Sequence, residues 1–186
     1  MVRIRYSIYS LLLLIGLVCC SNPDITSPRE MTANSNGVDL YVRVVGDPSA
    51  DDVLIAIHGG PGMTHDYLLG LEQLAGPDLA VVTYDQRGVG LSASPPVDPT
   101  NYTLAKYAAD LEAVRAALGA EKVILFGHSW GGIVAQRYAS LYPERVSSII
   151  LMGSGPPTWE QMLQSQDALL QRIIALMQQG IILENP

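Results

Sequence analysis

Residues 122 to 139 constrain this chain more than any other stretch. Lys122 to Phe126 is a short apolar run with β-branched residues, the pattern of a fully buried strand. Gly131 to Ala139 reads as the opening of a helix. Between them Gly127-His128-Ser129-Trp130-Gly131 spells G-x-S-x-G. A serine on so sharp a strand-to-helix turn needs unusual backbone angles and a close approach of strand to helix. Small residues two before and two after it tolerate that geometry. Ser129 is therefore the candidate nucleophile, and the N–H of Trp130 would face a developing oxyanion.

The remaining pattern supplies the frame. Val53 to His58, Leu79 to Asp85 and Val146 to Met152 read as buried strands, and residues 37 to 46 alternate as an edge or antiparallel strand would. Tyr67 to Leu74 is a short helix candidate. Thr103 can cap a helix running to Leu118, with Leu104, Tyr107, Ala108, Leu111, Val114 and Leu118 on one face and Gly119 as the stop. Pro143 lies near the end of the helix that follows Ser129. Strands separated by helices imply parallel β-α-β units, so the expected class is α/β: a mostly parallel open sheet with flanking helices. Ligands in such sheets sit at the carboxyl ends of the strands, where His58, Asp85 and Ser129 all lie. Composition shifts at Gly153-Ser154-Gly155-Pro156-Pro157, and residues 159 to 183 read as helical, the start of a cap or lid. The expected division is a sheet domain over 37–157 and a cap segment over 158–186.

The amino terminus belongs to neither. Arg3 and Arg5 precede a ten-residue apolar run, Leu11 to Cys20, too short to span a bilayer but suited to a signal-peptide core. Its end resembles a bacterial lipobox, with Cys20 the better candidate for lipidation and Cys19 the alternative. Residues 1–20 are thus expected to be an export signal of lipoprotein type, placing the protein on a membrane by a lipid anchor, and otherwise secreted or periplasmic. Residues 21–36, rich in Ser, Asn, Pro and Thr, read as a flexible tether. Loss of the signal takes the net charge from −7 to −9. It also leaves no cysteine for an internal disulfide.

Bulk properties exclude several classes. With 48% hydrophobic and 16% charged residues the chain is not disordered overall, and the acidic balance argues against nucleic acid as a partner. The histidines and cysteines lack metal-ligand spacing, and no phosphate loop with a following Lys-Ser/Thr is present, so neither metal nor cofactor is expected.

Two further loops carry chemistry. His58-Gly59-Gly60-Pro61-Gly62 follows the first buried strand and forms a rigid turn with exposed N–H groups. The Gly60 N–H is the expected second oxyanion donor, with Gly59 as the alternative. Asp85-Gln86-Arg87-Gly88-Val89-Gly90-Leu91-Ser92 ends the next strand, where Asp85 and Arg87 are expected to pair and pin the loop. None of the three histidines makes a convincing base. His58 is expected to anchor its loop, His128 to point away from the serine hydroxyl, and His65 to lie in a loop or on a helix surface.

Taken together, HGGPG at 58–62, DQRGVGLS at 85–92 and GHSWGG at 127–132 resemble the proline iminopeptidase group of the α/β-hydrolases. The resemblance covers roughly Val38 to Pro157, the amino-terminal half of that fold. It implies hydrolysis of an amide or ester through an acyl-enzyme, typically of a peptide with an amino-terminal proline. Ser129 is then the nucleophile, and Gly60 and Trp130 give the oxyanion N–H groups. The same fold also hosts esterases and amidases. In α/β-hydrolases the triad runs Ser, then Asp or Glu, then His. Here Glu144, Glu160, Asp167 and Glu184 follow Ser129, but no histidine does. The expectation is a sheet incomplete at its carboxyl end, leaving two readings: a serine hydrolase represented in part, or an inactive remnant or binding module. A half-sheet with an unpaired apolar edge is also expected to be poorly soluble or marginally stable.

Overall fold

The computed structural model describes residues 27–156 and 158–179. The expected signal over 1–20, Cys20 included, lies outside the described residues. The first strand, β1 (Arg29–Ser35), falls inside the stretch read as tether. It pairs antiparallel with β2 (Val38–Val45) through a turn at Asn36-Gly37, both at positive φ. The turn chemistry of Asn-Gly, which favours a tight hairpin, is what a reading by composition alone passes over.

Four further strands, β3 (Asp52–Ile57), β4 (Leu79–Tyr84), β5 (Val123–His128) and β6 (Val146–Met152), complete one six-stranded sheet in the order β1-β2-β4-β3-β5-β6. β1 and β2 run antiparallel and the other four are mutually parallel. Strand parity divides the core. Ile55 and Ile57 join Val82, Leu125, Val134 and Tyr138 on the face covered by α1 (Leu104–Leu118) and α2 (Trp130–Leu141). Leu54 and Ala56 face the other way, with Val81, under the 3₁₀ helix His65–Leu74. That helix is tighter and starts two residues earlier than the sequence pattern implies.

The α1 boundaries follow their caps. The Thr103 hydroxyl accepts from the Lys106 N–H, and Gly119 closes the helix at φ 72°. Register then builds the site. Ile57 stands beside Gly127, and Ala56 beside Thr83, so the loops after β3, β4 and β5 emerge together. Beyond the sheet, α3 (Trp159–Gln178) leaves Leu169, Leu170, Ile173 and Ile174 exposed.

Candidate active site

Ser129 sits between the last residue of β5 and the first of α2 with φ 53° and ψ −117°. It is one of two non-glycine residues among those described at positive φ. Such a conformation costs on the order of 1–3 kcal/mol and persists only where its surroundings fix it. Several contacts do so. The Ser129 N–H donates to the Met152 carbonyl (2.9 Å), and its own carbonyl accepts from the Gly132 N–H (3.0 Å). A Cβ on Gly127 would lie 2.5 Å from Gly132 Cα, and one on Gly131 would run into the carbonyl oxygens of Ile57 and His58. Gly132 is equally committed, since a Cβ there would strike the Ser154 side chain. These clashes are the physical content of G-x-S-x-G-G. The bend also places Ser129 at the positive end of a twelve-residue helix, which favours negative charge there.

The 58–62 loop lies against this bend. A Cβ added at Gly59 would stand 3.2 Å from Ser129 Cβ. His58 is 1% exposed and anchors the loop, as its position at a strand end suggests. Its Nε2 accepts from the Gln86 N–H (3.0 Å), so Nδ1 carries the proton and donates to the Gly59 carbonyl (2.9 Å). Burial holds the imidazole below its ordinary pKa, against the opposing Gly59 hydrogen bond and Asp85 charge. A neutral ring is the state this geometry requires.

Gln86 is the residue that sequence reasoning missed. Its side-chain amide donates to the His58 carbonyl (2.7 Å), and its Oε1 accepts from the Trp130 indole (3.0 Å). One buried side chain thus ties together the loops after β3, β4 and β5. Nothing in the sequence marks it, because glutamine between two charged residues reads as ordinary loop.

Two expectations are corrected. Asp85 and Arg87 do not pair. Asp85 turns toward the 3₁₀ helix, where Oδ1 accepts from the His65 backbone N–H (2.9 Å) and meets His65 Nδ1 (2.8 Å), and Oδ2 accepts from the Leu91 N–H (2.8 Å). Gly90 makes room for it, since a Cβ at that position would overlap the carboxylate. Arg87 instead forms a two-pronged pair with Asp110 of α1, Nε to Oδ2 at 2.6 Å and Nη2 to Oδ1 at 2.5 Å. Asp110 lies on the inward face of α1 and has no exposed surface, so its fixed carboxylate matches the planar guanidinium. His65 is correspondingly buried, at 6% exposure, rather than on a surface.

His128 lies next to Ser129, but its Nδ1 meets the Tyr67 hydroxyl at 2.8 Å. That hydroxyl accepts the Gly59 N–H at 2.6 Å. Gly59 is therefore already engaged. A cavity of about 400 Å³ between the β1–β2 turn and the segment after β4, lined by Arg87, Pro95 and Lys106 among others, does not include Ser129.

A strained serine at the carboxyl end of a parallel strand, backed by a helix amino terminus and flanked by a glycine loop, has the geometry of a nucleophile elbow on an α/β sheet. The α/β-hydrolase-fold family matches residues 52–177, and the chain belongs to that family. Among its relatives, the proline iminopeptidase of Lactobacillus helveticus (strain DPC 4571) is 39% identical over 131 residues, covering 68% of this chain and 45% of that protein. A proline iminopeptidase-related protein from Thermus thermophilus superposes with a TM-score of 0.64 at 30% identity, over 69% of this chain and 45% of the other. Epoxide hydrolase A from Mycobacterium thermoresistibile superposes at 0.60 with 32% identity, over 71% and 40%. The chain thus spans less than half the length of these relatives.

Proposed function

We propose that this chain is the nucleophile-bearing part of a proline iminopeptidase-type serine hydrolase. The observation that carries this reading is the strained Ser129 held between β6 and the 58–62 loop. In the proposed reaction Ser129 Oγ attacks the carbonyl of an amino-terminal prolyl peptide, or of a related amide or ester. Its proton passes to a general base. The carbonyl oxygen becomes an oxyanion, received by the N–H groups of Gly60 and Trp130. The C–N bond then breaks, the leaving amine takes up the proton, and water releases the acid from the acyl-enzyme.

None of the three histidines supplies that base, because His58, His65 and His128 are committed to Gln86, Asp85 and Tyr67. The same commitment supports the second reading, an inactive remnant or binding module. A fluorophosphonate probe separates the two. The hydrolase reading expects slow, single-site modification, mapped to Ser129 by peptide mass and absent in Ser129→Ala. A chain that stays unmodified, or a variant that reacts equally, overturns it. Release of arylamine from an L-prolyl arylamide above the Ser129→Ala level then distinguishes a peptidase from an esterase.

We further propose that export and lipidation at Cys20 place the domain at a membrane surface. Partition of the expressed protein into detergent phase, lost in Cys20→Ala, is the expected result.

A further inference from the structure

Tyr67 is 41% exposed, yet its hydroxyl is held from two sides. It accepts the Gly59 N–H (2.6 Å) and lies 2.8 Å from His128 Nδ1, with the two rings edge-on at 71° and 5.4 Å apart. Gly59 can only donate in this arrangement, so the single hydroxyl hydrogen is left for His128. Nδ1 is then the acceptor, and Nε2 carries the imidazole proton. Gly59 is closely enclosed by this group: a Cβ there would meet His128 Nδ1 at 3.1 Å and both Ser129 Cβ and Tyr67 Oη at 3.2 Å. The 3₁₀ helix bearing Tyr67 is itself fixed, by buried Leu68 and by the His65–Asp85 pair. A rigid strut therefore runs from the end of β4, through Tyr67, to the residue preceding Ser129.

We propose that Tyr67 is a positioning residue: its hydroxyl binds the Gly59 N–H to His128, locks the 58–62 loop against the bend, and takes the Gly59 N–H away from any role as an oxyanion donor. This inference rests on the serine-hydrolase reading. It predicts that removing one oxygen atom from an exposed tyrosine slows the chemistry at Ser129 without loosening the fold.

The test uses the full 186-residue chain with Tyr67→Phe, His128→Leu and His128→Asn, the last keeping an acceptor close to the Nδ1 position. Three quantities are read: the fluorophosphonate modification rate at Ser129, the imidazole ¹⁵N shifts of His128, and amide exchange at Gly59. Tyr67→Phe and His128→Leu are expected to slow modification by about fivefold to tenfold, the scale of one hydrogen bond. Their melting points stay within about 1 °C of the parent, below the roughly 2–4 °C that a lost kcal/mol would cause in a chain of this size. His128→Asn retains more than about half the rate, because one neutral acceptor replaces another. In Tyr67→Phe the His128 Nδ1 shift moves as its hydrogen bond is lost, and Gly59 exchange quickens. An unchanged rate with unchanged ring shifts overturns the proposal. So does a slowing matched by a lowered melting point in both Tyr67→Phe and His128→Leu, which is general loosening. If Ser129 reacts with no probe in the parent, the hydrolase reading fails, and the ring shifts and Gly59 exchange alone decide the role of Tyr67.

Discussion

Arg87 is 3% exposed and Asp110 is wholly buried, so their pair has no water to fall back on. Removing one partner strands a buried charge, which costs about 3–5 kcal/mol. We expect Arg87→Ala to lower the unfolding free energy by that amount, read as a lower urea midpoint at unchanged slope, the larger loss coming from the carboxylate left behind. His58 gives a pH dependence of definite sign. Its folded pKa is depressed by burial, so the unfolded chain binds more protons below the ordinary histidine value of about 6.5. The His58 contribution is thus present above that pH and is lost on acidification toward the lower, folded value. Urea titrations at about pH 7.5 and 5.5, on either side of that ordinary value, should show a smaller acid loss in His58→Gln than in the parent. These residues also mark where sequence reading stops. The bend at Ser129 was legible because its backbone angles demand small neighbours on either side. The Asp85–His65 and Arg87–Asp110 partners were not, since each joins positions twenty or more residues apart and adjacency in sequence suggested the wrong pair. Gln86 and Tyr67 act through side-chain hydrogen bonds that leave no periodic trace.

Among the elements, the interior strands and α1 were the easiest to foresee. Each pairs a strong apolar pattern with a boundary signal, as with Thr103 and Gly119. We expect Thr103→Ala to cost about 1 kcal/mol, the usual worth of an amino-terminal cap, read from the thermal or urea transition. β1 escaped because its outer residues, Arg29, Glu30, Thr32 and Asn34, are those of a solvated border, and composition cannot tell a polar edge strand from a linker. The short helix expected from Tyr67 to Leu74 is present as a 3₁₀ helix that begins at His65. It covers the small cluster of Leu54, Ala56, Leu68 and Val81, and Asp85 accepts from the N–H of its first residue, His65.

The sheet of the described residues has two unlike borders. β1 ends the sheet with charged and polar side chains, whereas Ile149, Ile150, Leu151 and Met152 of β6 are each 37–46% exposed. Unpaired apolar edges invite association. We expect the chain to self-associate as its concentration rises and Ile150→Lys to shift it toward monomer in sedimentation velocity, with Ser129 modification retained. One consequence reaches back to the reactive bend. The carbonyl that fastens the Ser129 N–H belongs to Met152, the final residue of that bare strand. Fraying at the margin would therefore be felt directly at the serine, with no intervening layer to damp it, and whatever seals the margin also steadies the attacking oxygen.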